Sequence, residues 1–91
     1  MTPRERRLLH RCVQSRTGAI ALQSDVDTAR DFSTALRLCA RGDAEWLGWL
    51  RERDWRRERA TGQATFITTL TIMITPQGRT ALQETPHAHT P

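Results

Sequence analysis

Asp43-Ala44-Glu45-Trp46-Leu47-Gly48-Trp49-Leu50-Arg51-Glu52-Arg53-Asp54-Trp55-Arg56-Arg57-Glu58-Arg59-Ala60 is the stretch whose reading decides the fold. Asp43 suits a helix N-cap, and Trp46, Leu47, Trp49 and Leu50 recur at helical spacing. The pattern predicts a helix from Ala44 to about Arg53. The period then changes. Trp55 to Ala60 reads as a strand, and Thr61-Gly62-Gln63 as a turn in which Gly62 can take positive φ. Ala64 to Thr75 reads as the returning strand. Its Phe66, Leu70, Ile72 and Ile74 share one parity with Thr68, and its other threonines share the opposite parity. β-branched residues dominate, as a half-buried pleated strand prefers. Ile67 and Met73 interrupt the threonine face.

Towards the N-terminus, Thr2 and Pro3 suit the cap and first position of a helix that runs to about Ser15. Leu8, Leu9, Cys12 and Val13 make its apolar stripe, and Arg4, Arg6, Arg7 and Arg11 occupy much of the rest. Gly18 stops it. Ala19 to Leu22 is a short strand or a link packed on the core. Ser24 and Asp25 then read as the cap of a second helix, from about Asp25 to Ala40. Its Val26, Ala29, Phe32, Leu36 and Cys39 recur at intervals of three and four. Gly42 ends it, leaving a turn of about two residues before the next predicted helix. Towards the C-terminus, Thr75 and Pro76 open a short helix that returns Leu82 to the core. Residues 1–84 therefore read as one domain. Residues 85–91, with two prolines, read as a flexible tail.

The chain has 91 residues, enough for one modest core. All 14 of its basic Lys/Arg residues are arginine, against 10 acidic residues, a net charge of +4. That excess favours an acidic partner, above all nucleic acid. No apolar run approaches the length of a membrane span, and the charged start leads into no secretory apolar segment. A cytoplasmic protein is the expectation. Cys12 and Cys39 are the only cysteines and suit small buried side chains in a reducing compartment. His10, His87 and His89 have no metal-ligand spacing with other donors, so neither metal nor cofactor is expected. There is no nucleophile elbow, no phosphate-cradling glycine loop and no pairing of histidine with carboxylate on ordered elements. The chain therefore reads as a binder rather than an enzyme.

The predicted order of helix, short strand, helix, short turn, helix and β-hairpin resembles a winged helix-turn-helix domain. Leu47-Gly48-Trp49-Leu50-Arg51-Glu52-Arg53-Asp54-Trp55 is similar to the exit of a recognition helix into the wing. Leu70 to Leu82, containing Thr75-Pro76-Gln77-Gly78-Arg79, looks like the returning wing strand and the start of the next helix in bacterial regulators of the MarR and PadR types. The resemblance implies an α+β winged-helix fold of about three helices, a C-terminal hairpin and a short final helix. It implies a helix-turn-helix from helices two and three, a wing over residues 55–75, and double-stranded DNA as partner. Arg37, Arg41, Arg51, Arg53, Arg56, Arg57 and Arg59 would then contact phosphate. Two positions depart from the pattern. Asp54 stands where the family usually has glycine. The third predicted helix carries Glu45 and Glu52, which would repel phosphates, and a surplus tryptophan. That second departure supports a rival reading, a protein-binding module of similar shape. Its contact surface would comprise Trp46, Trp49, Ile67 and Met73. A homodimer is compatible with either reading.

Overall fold

Thr2 and Glu5 cap each other: the Thr2 hydroxyl accepts from the Glu5 N–H, and the Glu5 carboxylate accepts from the Thr2 N–H. This reciprocal cap starts α1 (Pro3–Gln14). The computed structural model describes residues 1–84, so the expected tail at 85–91, with His87 and His89, lies outside the described residues. Gly18, at φ 77°, leads into β1 (Ala19–Gln23), which makes the short apolar run a strand. The second helix, α2 (Ala29–Arg41), begins four residues later than the sequence predicts. Thr28 and Asp31 form a second reciprocal cap there, and the Asp27 carboxylate instead closes a turn on the Gln23 N–H at 2.8 Å. Val26 consequently lies in solvent rather than on the apolar stripe. Gly42, at φ 90°, ends α2 in the left-handed conformation.

The next two elements correct the sequence reading. Ala44–Arg53 is a strand, β2, and not a helix. Trp55–Thr61 is a short helix, α3, and not a strand. The helix-turn-helix expected from helices two and three is therefore not formed by those segments. β3 (Phe66–Ile74) and α4 (Pro76–Glu84) follow as predicted. β3 supplies the reason for β2. β1 pairs with it only over Thr69–Met73, and its other side needs a partner along its whole length. β2 fills that side from Ala44 opposite Ile74 to Arg53 opposite Phe66. A helix over the same residues would have left β3 open and placed Gly48 in a helix interior, at about 1 kcal/mol. In α3, arginine, glutamate and alanine favour the helix, the Asp54 carboxylate accepts from the Arg57 N–H, and Gly62 at φ 74° terminates it.

The sheet is antiparallel with order β1-β3-β2. Leu22, Leu70, Ile72 and Ile74 point to one face, where Leu8, Leu9 and Cys12 of α1 and Ala35 and Leu38 of α2 close the core. Thr69, Thr71 and Met73 line the other face and are half-buried. Beyond Thr68 the β2–β3 hairpin loses its β1 neighbour and continues as an arm, with α3 at its tip. The arm helps give a molecule of 56 × 24 × 23 Å.

The Thr75-Pro76-Gln77-Gly78 junction is a clamp between the end of α2 and the start of α4. The Thr75 hydroxyl donates to the Gly42 carbonyl (2.6 Å) and accepts from the Gly78 N–H (3.0 Å). The Gln77 amide donates to the Arg41 carbonyl (2.8 Å) and to the Asp43 carboxylate (3.0 Å). Gly78 packs flush against the Asp43 carbonyl, where no Cβ fits.

Candidate functional site

The arginines singled out in the sequence fall into two groups. On α2, Arg37 and Arg41 turn towards α1. Arg41 donates to Asp43 (2.8 Å) and to Glu5 (3.2 Å), and Arg37 lies 3.7 Å from Glu5. Glu5 and Asp43 are both buried. Burial pushes the Glu5 carboxyl up, but the Thr2 N–H and the Arg41 and Arg37 guanidiniums outweigh it and hold the group below its usual range. Arg41 is thus committed to the fold, while Arg37 still has a largely exposed side chain. With Arg4, Arg30, Ser33 and Thr34 it lines a shallow groove of ≈ 340 Å³ between α1 and α2. Arg4 is paired with Asp31 at 2.8 Å, and that guanidinium holds Asp31 below the ordinary carboxylate value. Arg30 makes no ion pair among the described residues. Arg30 and Ser33 were missed in the sequence, although Arg30, Ser33 and Arg37 recur at helical spacing opposite the buried Ala35.

The second group sits on the arm. Arg51 stacks over Phe66 at 4.2 Å and Arg53 over Trp55 at 4.1 Å. Arg53 also forms a two-point ion pair with Glu58, which holds that carboxyl below its usual value. Arg57 lies 3.9 Å from Asp54. Arg56 and Arg59 are exposed and make no ion pair among the described residues. The arm tip thus carries five arginines around two exposed aromatic rings, with the acids Glu52, Asp54 and Glu58 among them.

The four residues of the rival reading do not share one surface. Trp46 and Trp49 pair with Ile72 and Leu70, so they lie on the helix-bearing face of the sheet. Their rings are 5.9 Å apart, and Trp49 meets Phe32 of α2 edge-on at 6.3 Å. Ile67 and Met73 lie on the opposite face and are half-buried. What β2 does expose, alongside the three-stranded part of the sheet, is Trp46 (52%), Leu47 (47%), Trp49 (51%) and Leu50 (54%), consecutive and interrupted only by Gly48. Leu50 pairs with Thr69 and so belongs to the far face, while Leu47 is the extra residue of a bulge between Trp46 and Gly48.

Both cysteines are free thiols. Cys12 is buried, and burial pushes its pKa up to about 11; burial also raises that of Cys39. No cluster of three metal-ligating side chains occurs among the described residues. None of the described helices is long and apolar enough to cross a membrane. Comparison of the chain with family models, curated proteins and solved structures finds no match.

Proposed function

We propose that the chain is a nucleic-acid-binding module in a winged-helix-like arrangement, with the β2–β3 arm as the wing. The observation that carries this reading is the arm tip. It projects beyond the three-stranded part of the sheet and holds Arg51, Arg53, Arg56, Arg57 and Arg59 beside exposed Trp55 and Phe66. Arginines on a projecting hairpin suit phosphate contact, and exposed rings beside them suit sugar or base contact. The sheet order and the hairpin that follows α2 support the winged-helix comparison. In that arrangement α2 takes the place of the reading helix, and the predicted helix at 44–53 is no longer needed for it. This change also removes an electrostatic objection. Glu45 and Glu52 now belong to a strand, whereas the outer face of α2 offers Arg30, Ser33 and Arg37 to a phosphate backbone. Double-stranded DNA is the partner of choice, because a helix face with a wing matches groove and backbone together.

The test is fluorescence anisotropy with a labelled duplex at about 50 mM salt, where phosphate contacts are strongest. Binding that weakens to a similar degree on unrelated sequences in Arg57→Ala is the expected result. No duplex binding at that salt would sink the proposal.

One observation favours a protein contact in addition. Four consecutive large apolar side chains of β2, glycine aside, stand about half exposed, a larger patch than scattered surface residues account for.

A further inference from the structure

β2 sorts its side chains by face. Residues opposite each other across a ladder point the same way, so the register with β3 assigns each one. Trp46, Trp49, Arg51 and Arg53 stand opposite Ile72, Leu70, Thr68 and Phe66, on the helix-bearing face. Glu45, Leu50 and Glu52 stand opposite Met73, Thr69 and Ile67, on the far face. Both acids of the strand therefore lie on one face, and both of its arginines lie on the other with the aromatic rings. Just past the strand, Trp55 joins the second set, because the Arg53 guanidinium stacks on its ring.

The helix-bearing face of the β2–β3 ladder thus carries rings and cations in one row. Outward from the core come Trp46 and Trp49, 5.9 Å apart, then Arg51 over Phe66, then Arg53 over Trp55. All four rings are exposed. On β3 the row runs from Ile72 to Phe66, about 20 Å at the rise of an antiparallel strand. Trp49 also walls a pocket of ≈ 320 Å³ with Phe32, Ser24 and Thr68, and Thr68 is the ladder partner of Arg51. Asp27, the one acid of that pocket, lies 3.4 Å from Arg11. Arg51 makes no ion pair among the described residues, whereas Arg53 shares its charge with Glu58.

This row selects its occupant by charge and by shape. The arginines call for an anion, and an apolar partner would bury Arg51 without a counter-charge. The rings call for flat π-faces. In a duplex the base faces are covered by their neighbours, and a protein reaches base edges and phosphates. A duplex would therefore engage the arginines and leave the rings unused. An unpaired strand offers a base face to each ring and a phosphate between successive bases.

We propose that the helix-bearing face of the β2–β3 ladder binds an unpaired nucleic-acid strand, with bases stacked on Trp49, Phe66 and Trp55 and phosphates held by Arg51 and the arm-tip arginines. This rests on the arm being the nucleic-acid contact and specifies what it receives. Arg30, Ser33 and Arg37 line a separate groove against α1 and stay available to a duplex.

Titration of the full chain with an oligothymidylate of about 12 nucleotides tests this, followed by intrinsic tryptophan fluorescence beside anisotropy on a blunt duplex. All three tryptophans lie on the row, so stacked bases quench the emission. Saturable quenching is the expected result. Trp55→Ala and Phe66→Ala are each expected to raise the strand dissociation constant at least about fivefold, with duplex affinity little changed. Leu50→Ala, exposed on the far face, is the control and leaves strand affinity intact. Circular dichroism verifies the fold of each variant. A strand that binds without quenching, or that is indifferent to both ring substitutions, marks charge contact alone and overturns the proposal. Duplex binding without strand binding also overturns it and leaves the duplex reading standing. Strand binding with quenching but no duplex binding supports it and sinks the duplex reading alone. A chain that takes up no strand and instead forms a dimer that Trp49→Ala disperses assigns the face to a second copy and overturns the proposal.

Discussion

Replacing Gly78 with alanine is expected to damage the fold far more than a single methyl group suggests. A Cβ at this position overlaps the Asp43 carbonyl oxygen and lies 3.0 Å from both the Asp43 carbonyl carbon and Ile74 Cγ1. Neither of the first two obstacles is the free end of a flexible side chain. The Asp43 carbonyl is fixed because it also accepts from the Thr75 N–H, and α4 is fixed because Thr75 and Gln77 bond to residues 41–43. Relief requires α4 to move away from the end of α2, which breaks part of that clamp. Overpacking of a tight site costs about 1–3 kcal/mol, and a lost buried hydrogen bond adds roughly 1 kcal/mol, so about 3 kcal/mol is expected. For a domain of this size that lowers Tm by roughly 12–24 °C. Gly48→Ala is the matched control, since nothing lies within 4 Å of its added Cβ and its φ is not positive. It is expected to change stability by less than about 1 kcal/mol. Urea and thermal unfolding of the two variants provide the comparison. Equal stabilities would refute the clamp.

Acid sensitivity should centre on Glu5 and Asp31. Both carboxyls are held below their usual values of 4.5 and 3.8, so their contribution is complete above those values and is lost as pH falls through the lower folded ones. Urea midpoints should therefore hold steady from neutral pH to about pH 5 and fall below that, less steeply in Glu5→Gln. Arg41→Ala should destabilise by about 1–3 kcal/mol in chemical denaturation, because it strips a donor from two buried carboxylates, Glu5 and Asp43. Cys12, buried with a pKa of about 11, should resist a thiol reagent at pH 8 until the chain unfolds, and Cys39, half-buried, should react first. Rapid native labelling of Cys12 would contradict that packing.

Where one element carried its own signal, the sequence was readable. Pro3 after Thr2, the β-branched alternation of β3 and the Thr75-Pro76 junction each act within a few residues, and each placed its element correctly. The segment 44–60 was misread because its decisive interactions are remote. Trp46 and Trp49 are three apart, which suggests a helix face. In the strand, the bulge at Leu47 absorbs one residue and returns Trp49 to the face of Trp46, so a β-bulge reproduced a helical period. The open side of β3 was what required a strand there, and no local propensity reports that requirement. The arginines were visible, but their roles were not. Arg41 neutralises two buried acids, one of them 36 residues away, whereas Arg56 and Arg59 remain available. The Thr75-Pro76-Gln77-Gly78 stretch that suggested a DNA-binding family acts in this chain as a structural clamp. The weight of the functional reading therefore rests on the arm tip and the outer face of α2.

The most direct test of that reading is the salt dependence of duplex affinity, measured side by side for the wild type and for a variant carrying Arg56→Ala, Arg57→Ala and Arg59→Ala. With Arg30, Arg37 and those three in phosphate contact, log affinity should fall against log salt with a slope of about −4.5, and the variant should flatten it to about −2. A slope near zero, or one that the triple substitution leaves unchanged, would contradict the arm tip as the nucleic-acid contact.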